Sequence, residues 1–460
     1  MNDQGEDDGV RDFGAAFVIH VAFADDDRRR SPEARLEEAI GLAEAIDLKV
    51  VFAEVALVSN PRPATLIGSG RVEAIAAKLK ASDPRPGLVI VDAALSPVQH
   101  RNLEKAWNAK VLDRTALILE IFGVRARTAE GRLQVDLAHL TYQKSRLVRS
   151  WTHLERQRGG RGFLGGPGER QIESDRRAIE VKIDRLREKL EQVRRTRTLQ
   201  REKRRKTPHP VVALVGYTNA GKSTLFNRLA RAEVVARDQL FATLDPTMRA
   251  IDLPSGQRVI LSDTVGFISD LPTQLVAAFR ATLEEVNEAD LILHVRDCAH
   301  ADADAQREDV IDVLKELGVS AEGDRPVIEV MNKIDLLDEE DRLALVATTR
   351  HAQARAAMTV DEPLRVAVSA VTGEGFDDLC AIMDRLLTMD RETYCATLDQ
   401  ADGAALAWLH SHGDVLAERA AEGLVEIDVR LTGKTQGQFR KLFPHAALRA
   451  GDEAAQRRIA

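Results

Sequence analysis

Residues 211–229 admit very few folds. Val211-Val-Ala-Leu-Val215 is an uninterrupted apolar run of the kind that forms a strand buried on both faces. It leads straight into Gly216-Tyr-Thr-Asn-Ala-Gly-Lys-Ser223, and Thr224-Leu-Phe-Asn-Arg-Leu229 follows with helical spacing. A G-x-x-x-x-G-K-S segment between a strand and a helix reads as a phosphate-binding loop. Its glycines let the backbone wrap an anion, and successive N–H groups at the helix N-terminus face the charge. Lys222 is expected on the β- and γ-phosphates, and the Ser223 hydroxyl on Mg²⁺. The setting predicts an α/β fold, a mainly parallel sheet with helices on both faces.

Such a loop serves adenine and guanine nucleotides alike, so the choice of base rests on later segments. Val327–Val330 reads as a strand ending in Asn332-Lys333-Ile334-Asp335. A carboxylate at Asp335 can accept from both the guanine N1–H and the exocyclic amine. Adenine has no such pair of donors and would leave a buried polar group unmatched. Asn332 is expected to brace the loop and the stem of Lys333 to cover the base. Val366–Val368 ends in Ser369-Ala370-Val371, where a backbone N–H could meet the guanine O6. Val259-Ile-Leu-Ser-Asp-Thr-Val-Gly266 lies between these segments. There Asp263 is expected to hold Mg²⁺ through water, Thr264 and Val265 to line the site, and the Gly266 N–H to sense the γ-phosphate. Phe241-Ala-Thr-Leu-Asp-Pro-Thr247 is placed to close over the metal, with Thr243 as the second hydroxyl ligand and Thr247 as its competitor. The catalytic set is therefore Lys222, Thr243 and Gly266.

The rest of the 460-residue chain divides by pattern. Residues 1–12 read as a disordered tail, acidic and unlike a secretion signal. Residues 13–130 read as a small α/β domain: Ala15–Phe23, Val50–Ser59 and Leu88–Asp92 as strands, Ser31–Ile46, Arg71–Lys80 and Ser96–Trp107 as helices. Leu66–Arg71 reads as a tight turn into a helix, and Asp92 and His100 as surface or helix-cap groups. Residues 131–208 carry two heptad patterns, Leu133 to Leu154 and Ile172 to Val193, with Lys144 in one apolar slot. Between them lies the Gly-rich stretch Arg158–Glu169, which disfavours helix. This is an antiparallel helical hairpin. The nucleotide domain spans 209–389, and 390–460 reads as a small α+β domain with Val425–Leu431 as a strand.

Charge is uneven. From Lys144 to Lys206 the local charge is about +12, leaving about −20 on the remainder of a chain whose net charge is −8. That asymmetry marks a polyanion-facing element on an acidic body. Arg146, Arg149, Arg156, Arg158, Arg161, Arg170, Arg176 and Arg177 gather around the tip. Trp151 and Phe163 are candidates for stacking on bases, although Trp151 also fits a heptad core position. Arg158, Arg161, Phe163 and Arg170 are the expected RNA contacts. The scattered Cys298, Cys380 and Cys395 form no disulfide or zinc pattern. No apolar run approaches the ~20 residues of a membrane helix. A cytoplasmic monomer is expected.

With these segments in place, the chain resembles the HflX family of ribosome-associated GTPases, in the Obg–HflX group of translation-factor-like GTPases. The carriers are Gly216–Thr224, Phe241–Thr247, Asp263–Phe267, Asn332–Asp335, Ser369-Ala370 and the Gly-rich tip. The order of α/β domain, hairpin and nucleotide domain is also similar, over residues 14–390. The resemblance implies binding of GTP and GDP with Mg²⁺, binding to the large ribosomal subunit and its RNA, and hydrolysis stimulated there. It further implies splitting or rescue of stalled ribosomes. It also raises ATP binding and RNA remodelling through the N-terminal domain, where residues 1–130 hold no second phosphate loop. An Asn at position 219 resembles GTPases that bind K⁺ beside the phosphates; the plainer reading is that it satisfies its own loop.

Many GTPases carry Gln directly after the D-x-x-G glycine to orient the attacking water. This chain has Phe267 there, then Ile268. Slow intrinsic turnover follows, with the missing group supplied by rearrangement, another residue or a partner. The alternative function is that of a GTP-regulated partner in RNA remodelling or modification. A pure RNA scaffold with a degenerate nucleotide domain is disfavoured by Lys222, Ser223 and Asp335.

Overall fold

The first apolar runs pair as parallel strands because βαβ connections leave them no other way to bury both faces. In the computed structural model they form β1 (Arg11–Phe23), β2 (Lys49–Val58), β3 (Arg85–Asp92) and β4 (Lys110–Asp113), in the order β2-β1-β3-β4. Helices α1 (Pro32–Glu44), α2 (Ser69–Ala81), α3 (Pro97–Trp107) and α4 (Arg114–Arg125) cover the sheet. Ala16 and Val18 face Leu42 of α1 and Ile118 of α4, whereas Phe17 and Ile19 face Ile75 of α2 and Trp107 of α3. Ser31 caps α1 through the Ala34 N–H, and Ser96 and Gln99 form a capping box on α3. The structure describes residues 11–24, 30–157, 167–204, 209–231, 240–241, 247–269, 286–316, 318, 325–356, 364–388, 391–421 and 423–450.

Two features of this unit differ from expectation. The four-residue β4, too short to show alternation, and α4 complete the layer before the hairpin begins. Asp92 is not a surface group. It lies buried at the end of β3 and accepts from Arg114 Nη1 at 2.6 Å, with its other oxygen 2.7 Å from His20 Nδ1. His100 is half-buried, with Nε2 2.7 Å from the Val111 carbonyl.

The hairpin is α5 (Ala129–Gln157) and α6 (Pro167–Arg204). Lys144, the charged residue in the apolar stripe, bridges the two helices to Glu180 at 3.0 Å. Ile183 is buried in the seam, and Leu133, Leu137, Leu140, Leu147, Ile179, Leu186 and Leu190 are half-buried. A second face of α5 joins the N-terminal core through Val135 and Ala138. The helix-disfavouring stretch is shorter than read: Pro167, Gly168 and Glu169 open α6, where proline at a first helical turn forfeits no hydrogen bond. Arg146 does not belong to an outward-facing basic cluster. It pairs with buried Asp113 and lies 4.6 Å above the Tyr142 ring. Arg176 and Arg177 pair along their helix with Glu180 and Glu173. Arg158, Arg161 and Phe163, and the side chains of Arg149, Trp151, Leu154, Arg156, Arg170 and Ile172, lie outside the described residues.

A six-stranded sheet follows, made of β5 (Val211–Gly216), β6 (Thr247–Asp252), β7 (Arg258–Asp263), β8 (Leu291–Asp297), β9 (Val327–Asn332) and β10 (Leu364–Ala367). Its order is β10-β9-β8-β5-β7-β6, parallel except for the β6–β7 pair. Helices α7 (Lys222–Leu229), α8 (Ala303–Glu316), α9 (Glu339–Ala356) and α10 (Phe376–Thr388) accompany it. Val212 and Leu214 pack with Leu225, Phe226 and Met383 on one face. On the other, Ala213 and Val215 belong to a core that runs on into Leu42 and Phe122 of the N-terminal unit. The two α/β units thus share one apolar core.

The last part of the chain forms β11 (Arg391–Asp399), α11 (Gly403–His412), β12 (Asp414–Ala421), β13 (Leu424–Thr432), α12 (Gly433–Leu442) and β14 (Ala447–Ala450). Its antiparallel sheet has the order β12-β13-β11-β14, a split βαβ arrangement. Of these strands only β13 was legible as a strand in the sequence.

Candidate nucleotide site

The phosphate loop leaves the carboxyl end of β5, the central position where open α/β sheets bind ligands. Gly221 caps α7 with φ +91°, and a Cβ there would lie 2.2 Å from Asn332 Nδ2. Only glycine meets both demands. Asn219 also has positive φ, +59°, a region that asparagine tolerates. Lys222 is buried and donates to the carbonyls of Gly216 and Tyr217 at 3.1 and 2.7 Å. Burial pulls its pKa down to about 8, with Asp263 opposing the shift. Ser223 Oγ donates to Asp263 Oδ2 at 2.7 Å. A hydroxyl and a carboxylate held together are the donor chemistry that Mg²⁺ takes, one directly and one through water. The α7 residue Thr224 follows Ser223 in the first helical turn.

The segments expected to read the base meet at the same edge. Asn332 donates from Nδ2 to the Ala220 carbonyl at 2.8 Å and accepts from the Ala370 N–H at 3.0 Å. One buried amide thus ties the phosphate loop to the Ser369–Val371 loop. Lys333 stands at φ +69° with its ammonium 2.7 Å from Asp297 Oδ2, which stretches its stem along the site. Ser369 Oγ donates to Asp335 Oδ1 at 2.5 Å and so orients that carboxylate. Ile334 is buried core and Val371 is largely exposed. The Ser369 N–H donates to the Glu374 carbonyl and the Ala370 N–H to Asn332, so two of the three expected O6 donors are already engaged.

Around the position expected for the γ-phosphate the geometry is more closed than the sequence suggests. Phe267 donates its N–H to the Gly216 carbonyl at 3.1 Å, and its own carbonyl accepts from the Thr218 N–H at 2.7 Å. A Cβ on Gly266 would lie 2.9 Å from Thr218 Cγ2 and 3.1 Å from Lys222 Nζ, so the D-x-x-G glycine rests against the phosphate-loop lysine. The Phe267, Ile268 and Val265 side chains are buried in the shared core. Thr264 spends its hydroxyl on the Leu214 carbonyl at 2.6 Å, leaving only its backbone for a ligand. Thr247 opens β6 directly across from Asp263. Phe241 is buried edge-on against Phe122, with ring centroids 4.8 Å apart. Ala242, Thr243, Leu244 and Asp245 lie outside the described residues.

Several contacts around the loop escaped sequence reasoning. Tyr217 packs beneath Arg30, and its hydroxyl donates to Glu38 and accepts from the Ser269 N–H at 2.9 Å. A cavity of about 410 Å³ runs between α1 and the phosphate loop, lined in part by Glu37, Gly41, Thr218, Asn219 and Asp297. Glu38 and Arg114 carry no local signature, since single charges on helices usually face water.

A glycine-hinged phosphate loop, a D-x-x-G segment and an N-K-x-D loop at one sheet edge define a P-loop GTPase, an enzyme that hydrolyses GTP. Three family models match in order: "GTP-binding GTPase N-terminal" over residues 33–123, "GTP-binding GTPase Middle Region" over 125–204, and "50S ribosome-binding GTPase" over 211–333. GTPase HflX of Magnetococcus marinus is 48% identical over 88% of this chain and 91% of its own, and GTPase HflX of Escherichia coli (strain K12) is 41% identical over 90% and 93%. The chain belongs to the HflX family of GTPases. Among the described residues no helix is long and apolar enough to cross a membrane.

Proposed function

We propose that this GTPase binds the large ribosomal subunit through ribosomal RNA and uses GTP binding and hydrolysis to split or rescue stalled ribosomes. The observation that carries the reading is the joining of two elements by one core. A hairpin whose segment holds a local charge of about +12 is packed through Val135 and Ala138 onto the unit that meets the phosphate loop. Polycationic Arg-rich elements bind nucleic acid chiefly through phosphates, and folded RNA is read largely by shape. The matched model carries ribosome binding in its description, which agrees with that chemistry.

In the GTP site, Lys222 would hold the β- and γ-phosphates, and Ser223 and Thr243 would hold Mg²⁺, with Asp263 reaching it through water. Gly266 senses the γ-phosphate and Asp335 reads guanine. Mg²⁺ supplies charge neutralisation on the phosphates when bound. A K⁺ ion beside the phosphates would take Asn219 as a ligand; with none bound, Asn219 serves only its own loop. Phe267 turns into the core, so no side chain at that position orients the attacking water, and turnover is slow until the ribosome supplies or reshapes what is missing.

Sucrose-gradient profiles of 70S ribosomes incubated with the protein and GTP, or with a non-hydrolysable analogue, test this. Free subunits with either nucleotide, and recycling of the protein with GTP alone, are expected. Failure to co-sediment under both conditions would favour the RNA-modification reading instead.

A further inference from the structure

Residues 369–375 form the turn that would face the guanine O6. A turn of loop backbone keeps one shape only where its peptide groups have partners. The Ser369 N–H donates to the Glu374 carbonyl and the Ala370 N–H to Asn332 Oδ1, both at 3.0 Å. The peptide between Ala370 and Val371 therefore carries the remaining N–H of the three expected O6 donors. Val371 itself is 67% exposed, so core packing does not hold it. What fixes that peptide lies downstream in the turn.

Arg228 supplies the hold from another element. It stands in the last turn of α7, the helix that Lys222 and Ser223 open. At 1.5 Å per residue it sits about 9 Å along the helix from Lys222. Its Nη1 donates to the Val371 carbonyl at 2.6 Å and its Nη2 to the Thr372 carbonyl at 2.7 Å. The planar fork of a guanidinium suits two neighbouring acceptors. The same two peptide units are held from their other ends. The Thr372 N–H donates to Ser369 Oγ at 3.0 Å, and the Gly373 N–H to the Ser369 carbonyl at 2.8 Å. Two successive peptide planes are pinned on both sides, which leaves Val371 little freedom to rotate.

Gly373 lets the turn lie flat on the guanidinium. Its φ is +90°, and an added Cβ would come 2.5 Å from Arg228 Nη2 and 2.9 Å from Cζ. The guanidinium carbon lies 5.8 Å from the centroid of the Phe376 ring, within cation–π range. On the other flank Arg342 of α9 pairs with Glu374 at 2.6 Å. Asn332 ties the turn to the phosphate loop from the buried side, and the exposed Arg228 ties it to the far end of the phosphate-loop helix.

We propose that Arg228 is a positioning residue for guanine recognition. Its fork holds the carbonyls of Val371 and Thr372 and so aims the Val371 N–H at O6 of the base. It acts through the turn and touches neither base nor phosphate. Asp335 is oriented by Ser369, which is fully buried and anchored through its own N–H, so the reading of N1–H and the amine does not depend on Arg228. The inference rests on the reading of residues 332–335 and 369–371 as the guanine site.

The test is competition titration of the full chain, Arg228→Ala and Arg228→Lys with GDP and 6-thio-GDP at pH 7. The thio analogue keeps N1–H and the amine and replaces only O6, with a sulfur that accepts hydrogen bonds weakly. The parent should favour GDP over 6-thio-GDP by about 3- to 10-fold, the usual worth of one hydrogen bond. In Arg228→Ala, GDP should weaken by about that factor while 6-thio-GDP stays within about twofold, so the discrimination collapses. Lysine brings the charge without the fork, so Arg228→Lys should fall short of the parent. Removing an exposed side chain strands no buried charge, and an unchanged unfolding midpoint without nucleotide checks that the variants fold. Equal weakening of both nucleotides, no change in either, or a lysine variant equal to the parent would overturn the role of the Arg228 fork. A parent that did not distinguish GDP from 6-thio-GDP would remove the O6 contact and this inference with it, leaving Asp335 as the reader. A parent that bound ADP as tightly as GDP would overturn the guanine site as well.

Discussion

Replacing Asp335 with Asn tests the guanine site most directly, because it removes a charge and inverts one hydrogen-bonding atom while changing little else. The Asp335 carboxylate is half-buried and oriented by Ser369 Oγ at 2.5 Å. Guanine offers it two N–H donors. Hydrogen bonds to a charged partner contribute about 1.5–3 kcal/mol each, and half-exposure argues for the lower end, so the pair is worth roughly 3–4 kcal/mol. At about 1.4 kcal/mol per decade, Asp335→Asn should weaken GDP and GTP binding roughly 10²- to 10³-fold. The Asn carbonyl can still accept from Ser369, so the thermal midpoint should move by under roughly 2 °C. The new amide N–H₂ faces the position of the guanine amine, donor against donor. Xanthine carries a carbonyl oxygen there, so xanthosine diphosphate should bind the variant better than GDP does, reversing the parent's order. Fluorescence titration with both nucleotides measures this. A loss of less than about threefold for GDP, with no gain for the xanthine nucleotide in a folded variant, would refute the base-reading argument.

Three further outcomes follow from the same geometry. Asn332→Ala leaves the buried Ala220 carbonyl and Ala370 N–H unpaired at about 1–3 kcal/mol each, so stability should fall by about 2–6 kcal/mol in urea unfolding, and a loss under about 1 kcal/mol would show that the amide does not tie the loops. Lys222 titrates near 8 in the empty site, and bound phosphates raise that value, so binding takes up a proton above pH 8. Kd for GDP should be flat below about pH 7.5 and climb by up to tenfold per unit between about 8 and 9. The empty protein moves the other way. The unfolded lysine keeps its proton to about 10.5, so the unfolding free energy should rise with pH from about 8 to 10.5, and a flat Kd through pH 9 would contradict both expectations. Finally, if Asn219 shares a cation with the phosphates, GTP turnover in potassium should exceed that in sodium several-fold, and equal rates would return Asn219 to a purely local role.

How much of this protein was legible without coordinates depended on whether its parts are neighbours along the chain. The phosphate loop is eight consecutive residues, and Asn332-Lys333-Ile334-Asp335 is four, so their chemistry could be named from order and spacing. The parallel sheets followed from apolar runs alternating with helical spacing. The short β4 and the four-stranded C-terminal sheet were harder. A strand of four residues has too few alternations to read, and the pairing of β11 with β14 depends on contacts some fifty residues apart.

Tertiary structure alone decided which charges face water. Arg146 sits in a run of arginines that reads as solvated or RNA-facing, yet it turns inward because Asp113 is buried beside it. Glu38, Asp92, Arg114 and Ser269 come from separate stretches between residues 38 and 269 and none has a local pattern, and nothing in the phosphate-loop motif tells that the Tyr217 hydroxyl joins them. The partner of a buried ion is chosen by distance in space. The covalent order of the chain determined that this protein has a guanine-nucleotide switch, and folding decided what holds that switch.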